Sequence, residues 1–525
     1  MINADEHKKL LAQIAELEKN SVNYFDVEKE FFLIDSDNLL QVRSKLYGYS
    51  IQRTGIYEDD NLTPEAIAGL DGRGCYVYVG VKDGEITIKQ DLNGCWGIYL
   101  FQHGDYFALS NSFFRLLDHV KFKYPLTVNR DYINHNLLAG IFLNFACSET
   151  AVNEIRLVDR SAILYIDATR KQLDVELIDY KEHTRSLDSA EGVATLDHWV
   201  EFWANAFSSI AQRTKFIQAD LSGGFDSRVS LVPVLHSGIA LNKIRVYSIK
   251  DDLHTHREDY EIAYKIASHY GFKLNQALPE RKNFSLGLSD VWNLDFYVRQ
   301  TATKDPALFW TIKNIQRLYS INGNAGETIR HRWHGSPKEF MEELLRKFYP
   351  YSKSLSDKML HSMRNIFESS FSTICNKYKI KDKNSEEILQ FLYQETWSRH
   401  HFGKGATCDY FKNRICLSPV LDPEVRTLRL NTPECPDANL LIALLFTRYE
   451  PDLLIFPFEG NNSIASETIA YAKKINERFP RRPKDIATVI GGGILTCNRV
   501  TKKQKKFFYQ GTRIRISLRT FYKII

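Results

Sequence analysis

Six consecutive residues, Ser222-Gly223-Gly224-Phe225-Asp226-Ser227, combine the types needed to hold a phosphate. They follow the apolar run 216–221 and precede a helical pattern, so they fall where a strand gives way to a helix. Glycines there let the backbone turn tightly and approach a ligand with no Cβ in the way. The N-terminus of the following helix offers amide N–H groups to an anion. Ser222 and Ser227 add hydroxyl donors. Asp226 supplies a hard oxygen able to hold Mg²⁺ against phosphate oxygens. The order lacks the lysine of a Walker loop and is not a GxGxxG dinucleotide turn. Arg228, directly after the motif, either reaches toward the same anion or faces outward from the first helical turn. Pro233, about two turns into the helix, predicts a kink or an early end.

The elements around the motif set the class. The runs 75–81 and 84–92, joined by Lys82-Asp83-Gly84, read as a hairpin. Further β-like runs cover 97–101, 106–110, 161–167 and 173–180. Beyond a polar stretch at 181–192, expected as a linker, the texture changes. A helix near 194–213, a strand at 216–221, a helix near 226–237, a strand at 243–249 and a helix near 257–270 alternate. That alternation predicts a parallel sheet with crossover helices. Residues 338–400 read as mostly helical, and 4–19 as a short amphipathic helix. Gly491-Gly492-Gly493 reads as a hinge before the end of the chain.

Composition excludes several classes. The chain has 525 residues, 44% hydrophobic and 25% charged, which is ordinary for a globular protein. No apolar run approaches the roughly 18 residues of a membrane span. The eight cysteines form no CxxC pair, so zinc-ribbon and thioredoxin-like sites are unsupported. Scattered cysteines and a charged N-terminal stretch predict a cytoplasmic location. From Arg499 onward there are nine Lys/Arg and no Asp/Glu, which leaves the rest of the chain net acidic. Such a tail can contact an anionic polymer or membrane surface, and no specific nucleic acid is expected.

The SGGxDS order resembles the pyrophosphate loop of ATP pyrophosphatases, and the downstream order resembles the asparagine synthetase family. Arg257-Glu258-Asp259-Tyr260-Glu261-Ile262-Ala263, then Ile266-Ala267 and Tyr270-Gly271, is similar to a helix of its synthase domain. Gly323-Asn324-Ala325-Gly326-Glu327 falls where the family has Gly-Glu-Gly-Ser-Asp. Leu417-Ser418-Pro419-Val420-Leu421-Asp422 looks like its Pro-Phe-Leu-Asp element. Leu70-Asp71-Gly72 and the Cys75 strand, Gln90-Asp91-Leu92-Asn93-Gly94 with Gly97-Ile98-Tyr99, and Ser110 resemble its amidohydrolase domain. The resemblance spans roughly residues 65 to 460.

It implies an α/β chain: an N-terminal αββα Ntn-hydrolase-like domain over 1–185, a parallel-sheet ATP pyrophosphatase domain over 193–480, and a basic tail over 496–525. It implies ATP and pyrophosphate contacts at Leu221, Ser222, Gly223, Gly224, Asp226, Ser227, Ser248 and Gly323, with Asp226 and Glu327 as catalytic carboxylates and Mg²⁺ ligands. The implied reaction is ligation. A small-molecule or glycan carboxylate, such as a sugar acid of a surface polysaccharide, is adenylated and passed to an amine or ammonia, releasing AMP and pyrophosphate.

The departures also matter. Ile2 stands where the family carries its nucleophilic cysteine, and hydrolysis of glutamine requires that thiolate. The first domain is therefore expected to be a scaffold without glutaminase activity. Asn324 falls where relatives carry a residue that helps deprotonate the amine, and an amide is no general base. The family's transition-state lysine has no clear counterpart; Lys484, Lys502 and Lys503 are the candidates. Arg330, His331, Arg332 and His334 crowd after Glu327 and form either an anion clamp or a solvated basic loop. His254 and His256 make an HxH with no third ligand in register. Two rival readings remain. A sulfur-inserting enzyme acting on tRNA would need a persulfide cysteine among Cys375, Cys408, Cys416 and Cys435. A catalytically silent scaffold would need no intact motif.

Overall fold

The structure is a computed structural model, and it describes residues 27–139, 144–178, 184–250, 254–275, 317–330, 333–348, 357–411, 413–481, 487–490 and 493–496. The expected helix at 4–19, Ile2, His331, Arg332, Lys484 and everything from 497 onward lie outside the described residues.

The chain is a mixed α/β protein with antiparallel sheets and one parallel sheet. The strands in chain order are β1 (Leu33–Asp35), β2 (Lys45–Gln52), β3 (Gly55–Tyr57), β4 (Gly74–Lys82), β5 (Glu85–Gln90), β6 (Tyr99–His103), β7 (Tyr106–Ser110), β8 (Ile155–Leu157), β9 (Ala162–Asp167), β10 (Gln172–Leu177), β11 (Ile217–Asp220), β12 (Ile244–Tyr247), β13 (Leu318–Ile321) and β14 (Arg414–Leu417). Among the described residues one antiparallel sheet has the order β1-β7-β6-β8, a second β10-β9-β5-β4-β2-β3, and a third is a two-stranded pair near the end of the described chain. The β4–β5 turn uses left-handed backbone at Asp83 and Gly84, the twist that a two-residue hairpin prefers. β6 starts at Tyr99 rather than at 97, because Gly97 sits at φ +76, outside extended geometry.

The parallel sheet has the order β12-β11-β13-β14. β11 is followed by β12 on one side, while β13 lies on its other side, so the strand order reverses at β11. Ligands of open parallel sheets bind in the crevice beyond the strand C-termini at such a switch point.

The expected helix near 194–213 begins earlier, at Ala190, where the Ser189 side chain accepts the Gly192 amide. It packs on β2 and β3 on one side and on the motif helix, Phe225–Leu235, on the other. The motif helix ends two residues beyond Pro233. Residues 184–192 are no free linker. Arg185 donates its amide to Thr427 O and accepts the Arg429 amide (both 2.9 Å), and Leu187 is buried. Gly493, expected in a hinge, instead opens a strand that pairs antiparallel with Ala487–Ile490.

One hydrophobic core runs from Phe31 through both kinds of sheet to Ile475. Trp96 packs edge-on to Tyr410 and Phe411. The Arg73 guanidinium binds the buried Asp422 carboxylate at 2.7 and 3.1 Å and Glu424 at 3.0 Å. Arg160 reaches Glu395 at 2.9 Å. Glu395 belongs to an 11-residue π-helix, Tyr393–Gly403, within the stretch expected as helical. Long π-helices are rare and cluster at functional sites. Among the described residues no helix is long and apolar enough to cross a membrane.

Candidate active site

β11 ends at Asp220, and the Leu221 amide continues the ladder to Tyr247 O at 2.8 Å. The loop then folds on itself. The Ser222 amide donates to Ser227 Oγ (3.0 Å), the two hydroxyls meet at 3.2 Å, and the Gly224 amide donates to Ser222 Oγ (3.2 Å). The Gly223 amide donates to Asp259 Oδ1 at 2.7 Å. A Cβ on Gly223 would lie 2.9 Å from Ile262 and 3.0 Å from that carboxylate. Asp259, quoted above only as part of a helical pattern, thus props the loop. Gly224 is the N-cap of the motif helix and has no side chain to cap it.

Asp226 lies in the first turn of that helix, against the loop that follows β13. A Cβ on Gly326 would fall 1.8 Å from Asp226 Cγ, and one on Gly323 would fall 2.5 Å from the Asp226 carbonyl carbon. Any side chain at Gly323 would run into the Asp226 and Ser227 backbone, and one at Gly326 would displace the Asp226 carboxylate, so two segments about a hundred residues apart in sequence close on one residue. Between the two glycines, Ala325 is held in left-handed backbone at φ +63. Strain of that kind costs on the order of 1 kcal/mol and is concentrated at functional sites. Glu327 follows in a 3₁₀ turn, where the Tyr393 hydroxyl donates to Glu327 Oε2 at 2.8 Å. Arg330 turns back onto Asp226, at 3.1 Å to Oδ1 and 3.2 Å to Oδ2. These carboxylates hold the Arg330 guanidinium above its ordinary pKa despite its burial.

Several expected residues take other roles. Arg228 neither points outward nor reaches the anion space. It is fully buried and donates to the carbonyls of Gly223 (2.9 Å), Phe456 (3.0 Å) and Leu453 (3.1 Å), and to Pro457. It also lies over the Phe458 ring at 4.0 Å. Burial, opposed by Glu459 and Asp259, brings its pKa down to about 10. Arg228 is therefore the pin that fastens the loop to the 453–459 segment. His334 is exposed and pairs with Glu386 at 2.9 Å, away from Asp226. Asp422 is held by Arg73, which precedes β4, and accepts Trp203 Nε1–H at 2.7 Å. Asn324 has its carbonyl bonded by Ser418 Oγ at 2.9 Å.

Ser248 directly follows β12, whose last residue accepts the Leu221 amide. Asn275 takes both Ser248 backbone groups at 2.8 Å, and among the described residues the buried Ser248 hydroxyl has no hydrogen-bond partner. Among the described residues no group of three or more His, Cys, Asp or Glu could hold a metal. Burial pushes the Cys375 and Cys416 thiols up, opposite to the activation that a persulfide-forming cysteine needs.

No protein-family profile matches the chain. No curated protein matches it either. Among solved structures it is similar to glutamine phosphoribosylpyrophosphate amidotransferase from B. subtilis, complexed with ADP and GMP. The likeness has 12% identity and a TM-score of 0.14, and covers 60% of this chain and 52% of that one. The chain thus spans about half the length of the structure it matches.

Proposed function

We propose that the protein is an ATP-dependent ligase that adenylates a carboxylate and passes the acyl group to an amine or ammonia. The observation that carries this reading is the contact of Gly323 and Gly326 with Asp226, at the switch point of a parallel sheet. It joins the motif to the second carboxylate loop where a triphosphate would lie. In this reading the antiparallel sheets form an Ntn-hydrolase-like lobe without glutaminase activity, and the parallel sheet is an ATP pyrophosphatase lobe.

The residues fit MgATP. Mg²⁺ is commonly held by one or two carboxylates, with phosphates and water completing six ligands, and Asp226 and Glu327 are two such groups. When bound there, Mg²⁺ would offset charge on the departing pyrophosphate. The uncapped turn after Gly224 and the Ser222 and Ser227 hydroxyls would hold phosphate oxygens. The orphaned Ser248 hydroxyl would take a nucleotide group. The substrate carboxylate attacks the α-phosphorus and the bond to pyrophosphate breaks; the amine then attacks the acyl carbon, the C–O bond to AMP breaks, and the amide and AMP are released. Holding both reactants in one crevice supplies much of the acceleration. Asn324 cannot take the amine's proton, so the amine enters neutral or gives its proton to another group.

The test is incorporation of radiolabelled pyrophosphate into ATP with a panel of carboxylates, sugar acids included. Exchange should require Mg²⁺ and vanish in Asp226→Ala. Equal exchange by that variant contradicts the proposal.

A further inference from the structure

The site holds two carboxylates, yet the ligand assigned to it is an anion. Arg228, the motif's own arginine, is spent on four backbone carbonyls beneath the loop. Arg330 is placed differently. Its guanidinium contacts both oxygens of Asp226, lies 5.6 Å from the centre of the Phe225 ring and feels the Glu327 carboxylate. Phe225 and Asp226 are the first two residues of the motif helix, whose uncapped N-terminus favours an anion. Fixed guanidinium charge and helix dipole therefore converge on one space.

The Gly326 backbone lies so close to the Asp226 carboxylate that a Cβ would not fit between them. A divalent cation that takes Asp226 must compete with Arg330 for the same oxygens. We propose that Arg330 is a pyrophosphate-binding residue parked on Asp226. When the metal takes the carboxylate, the guanidinium turns onto the phosphate oxygens, which it matches with paired N–H donors. This inference rests on the adenylation reading and adds to it a specific ligand, pyrophosphate, and a metal-dependent movement for an arginine that the sequence offered either to an anion or to solvent. It also makes metal and pyrophosphate binding cooperative, since each removes the other's competitor.

The experiment uses the full chain and two probes: Mn²⁺ alone, followed by the electron paramagnetic resonance of the free ion, and inorganic pyrophosphate with Mg²⁺, followed by calorimetry. Arg330→Gln should weaken pyrophosphate about 10- to 100-fold, the usual loss for a charge-assisted hydrogen bond, while tightening Mn²⁺ several-fold. Arg330→Lys should recover part of the pyrophosphate affinity. Thermal melts followed by circular dichroism confirm that the variants are folded. Unchanged pyrophosphate binding in Arg330→Gln overturns the inference alone. Parallel weakening of both probes in the folded variant also overturns it, by making Arg330 a structural tie. If the unaltered chain binds neither pyrophosphate nor ATP, the adenylation reading falls and the inference falls with it.

Discussion

Gly326→Ala separates a site glycine from an ordinary turn glycine. The new Cβ would stand 1.8 Å from Asp226 Cγ and 2.2 Å from both carboxylate oxygens. Relaxed contact requires roughly 3.5 Å or more between carbons, so the carboxylate must move by more than 1 Å. It can do so, because it is a side chain rather than backbone, but it must leave Arg330. Overpacking that a side chain can relieve costs about 1 kcal/mol, the low end of the usual 1–3. Displacement of a metal-holding carboxylate by about 1 Å costs on the order of a hundredfold in rate. The variant should therefore fold with a small loss in urea midpoint and lose at least about a hundredfold in pyrophosphate exchange. Gly405→Ala is the control. Its Cβ meets nothing within 4 Å, and it lies in a helix, so both stability and exchange should hold. Full exchange by Gly326→Ala would refute the assignment of Asp226 as a working group.

Two further predictions concern the frame. Arg73→Ala strands the Asp422 carboxylate, whose side chain is 0% exposed, and should destabilise the protein by about 3–5 kcal/mol in urea unfolding; a loss under about 1 kcal/mol would show that the buried pair is dispensable. Lys404 is buried, and desolvation brings its ammonium down to about 7, with Arg399 adding repulsion. The unfolded chain, with a lysine pKa near 10.4, binds a proton in the window from about 7 to 10.4 that the native state lacks, so this group makes native stability rise with pH across that window. Lys404→Met should therefore be more stable than the unaltered chain by on the order of a few kcal/mol at about pH 6.5, with the advantage shrinking toward about pH 9.5. An advantage independent of pH would contradict the buried-charge account.

What could be read from the sequence was what lies contiguous in it. The motif, the β4–β5 turn and the alternation around β11 and β12 are local patterns, and their elements stand within a few residues of expectation. Arg228 was ambiguous for a physical reason. An amphipathic helix reveals its outward face by periodicity, but the motif helix is buried from Arg228 through Val234 and shows no such face. Arg330 and Asp226 meet across 104 positions, and no local pattern encodes that pairing. The 453–459 segment holds Arg228 through carbonyls, which any residue carries. The π-helix is likewise invisible. Tyr393 and Glu395 within it meet Glu327 and Arg160, pairings that a helical pattern alone does not predict. The polar composition of 181–192 suggested a linker, yet over 184–192 Arg185 docks on Thr427 through its amide and its guanidinium, and Leu187 is buried among polar neighbours in sequence.

A crystal structure with a non-hydrolysable ATP analogue and Mn²⁺ tests the proposed crevice beyond β11 most directly. The account predicts an anomalous peak within metal-ligand distance of an Asp226 carboxylate oxygen, phosphates over the first turn of the motif helix between Ser222 and Ser227, and Arg330 turned from Asp226 toward phosphate. A nucleotide bound elsewhere, or a metal that ignores Asp226 while the analogue occupies the crevice, would contradict it.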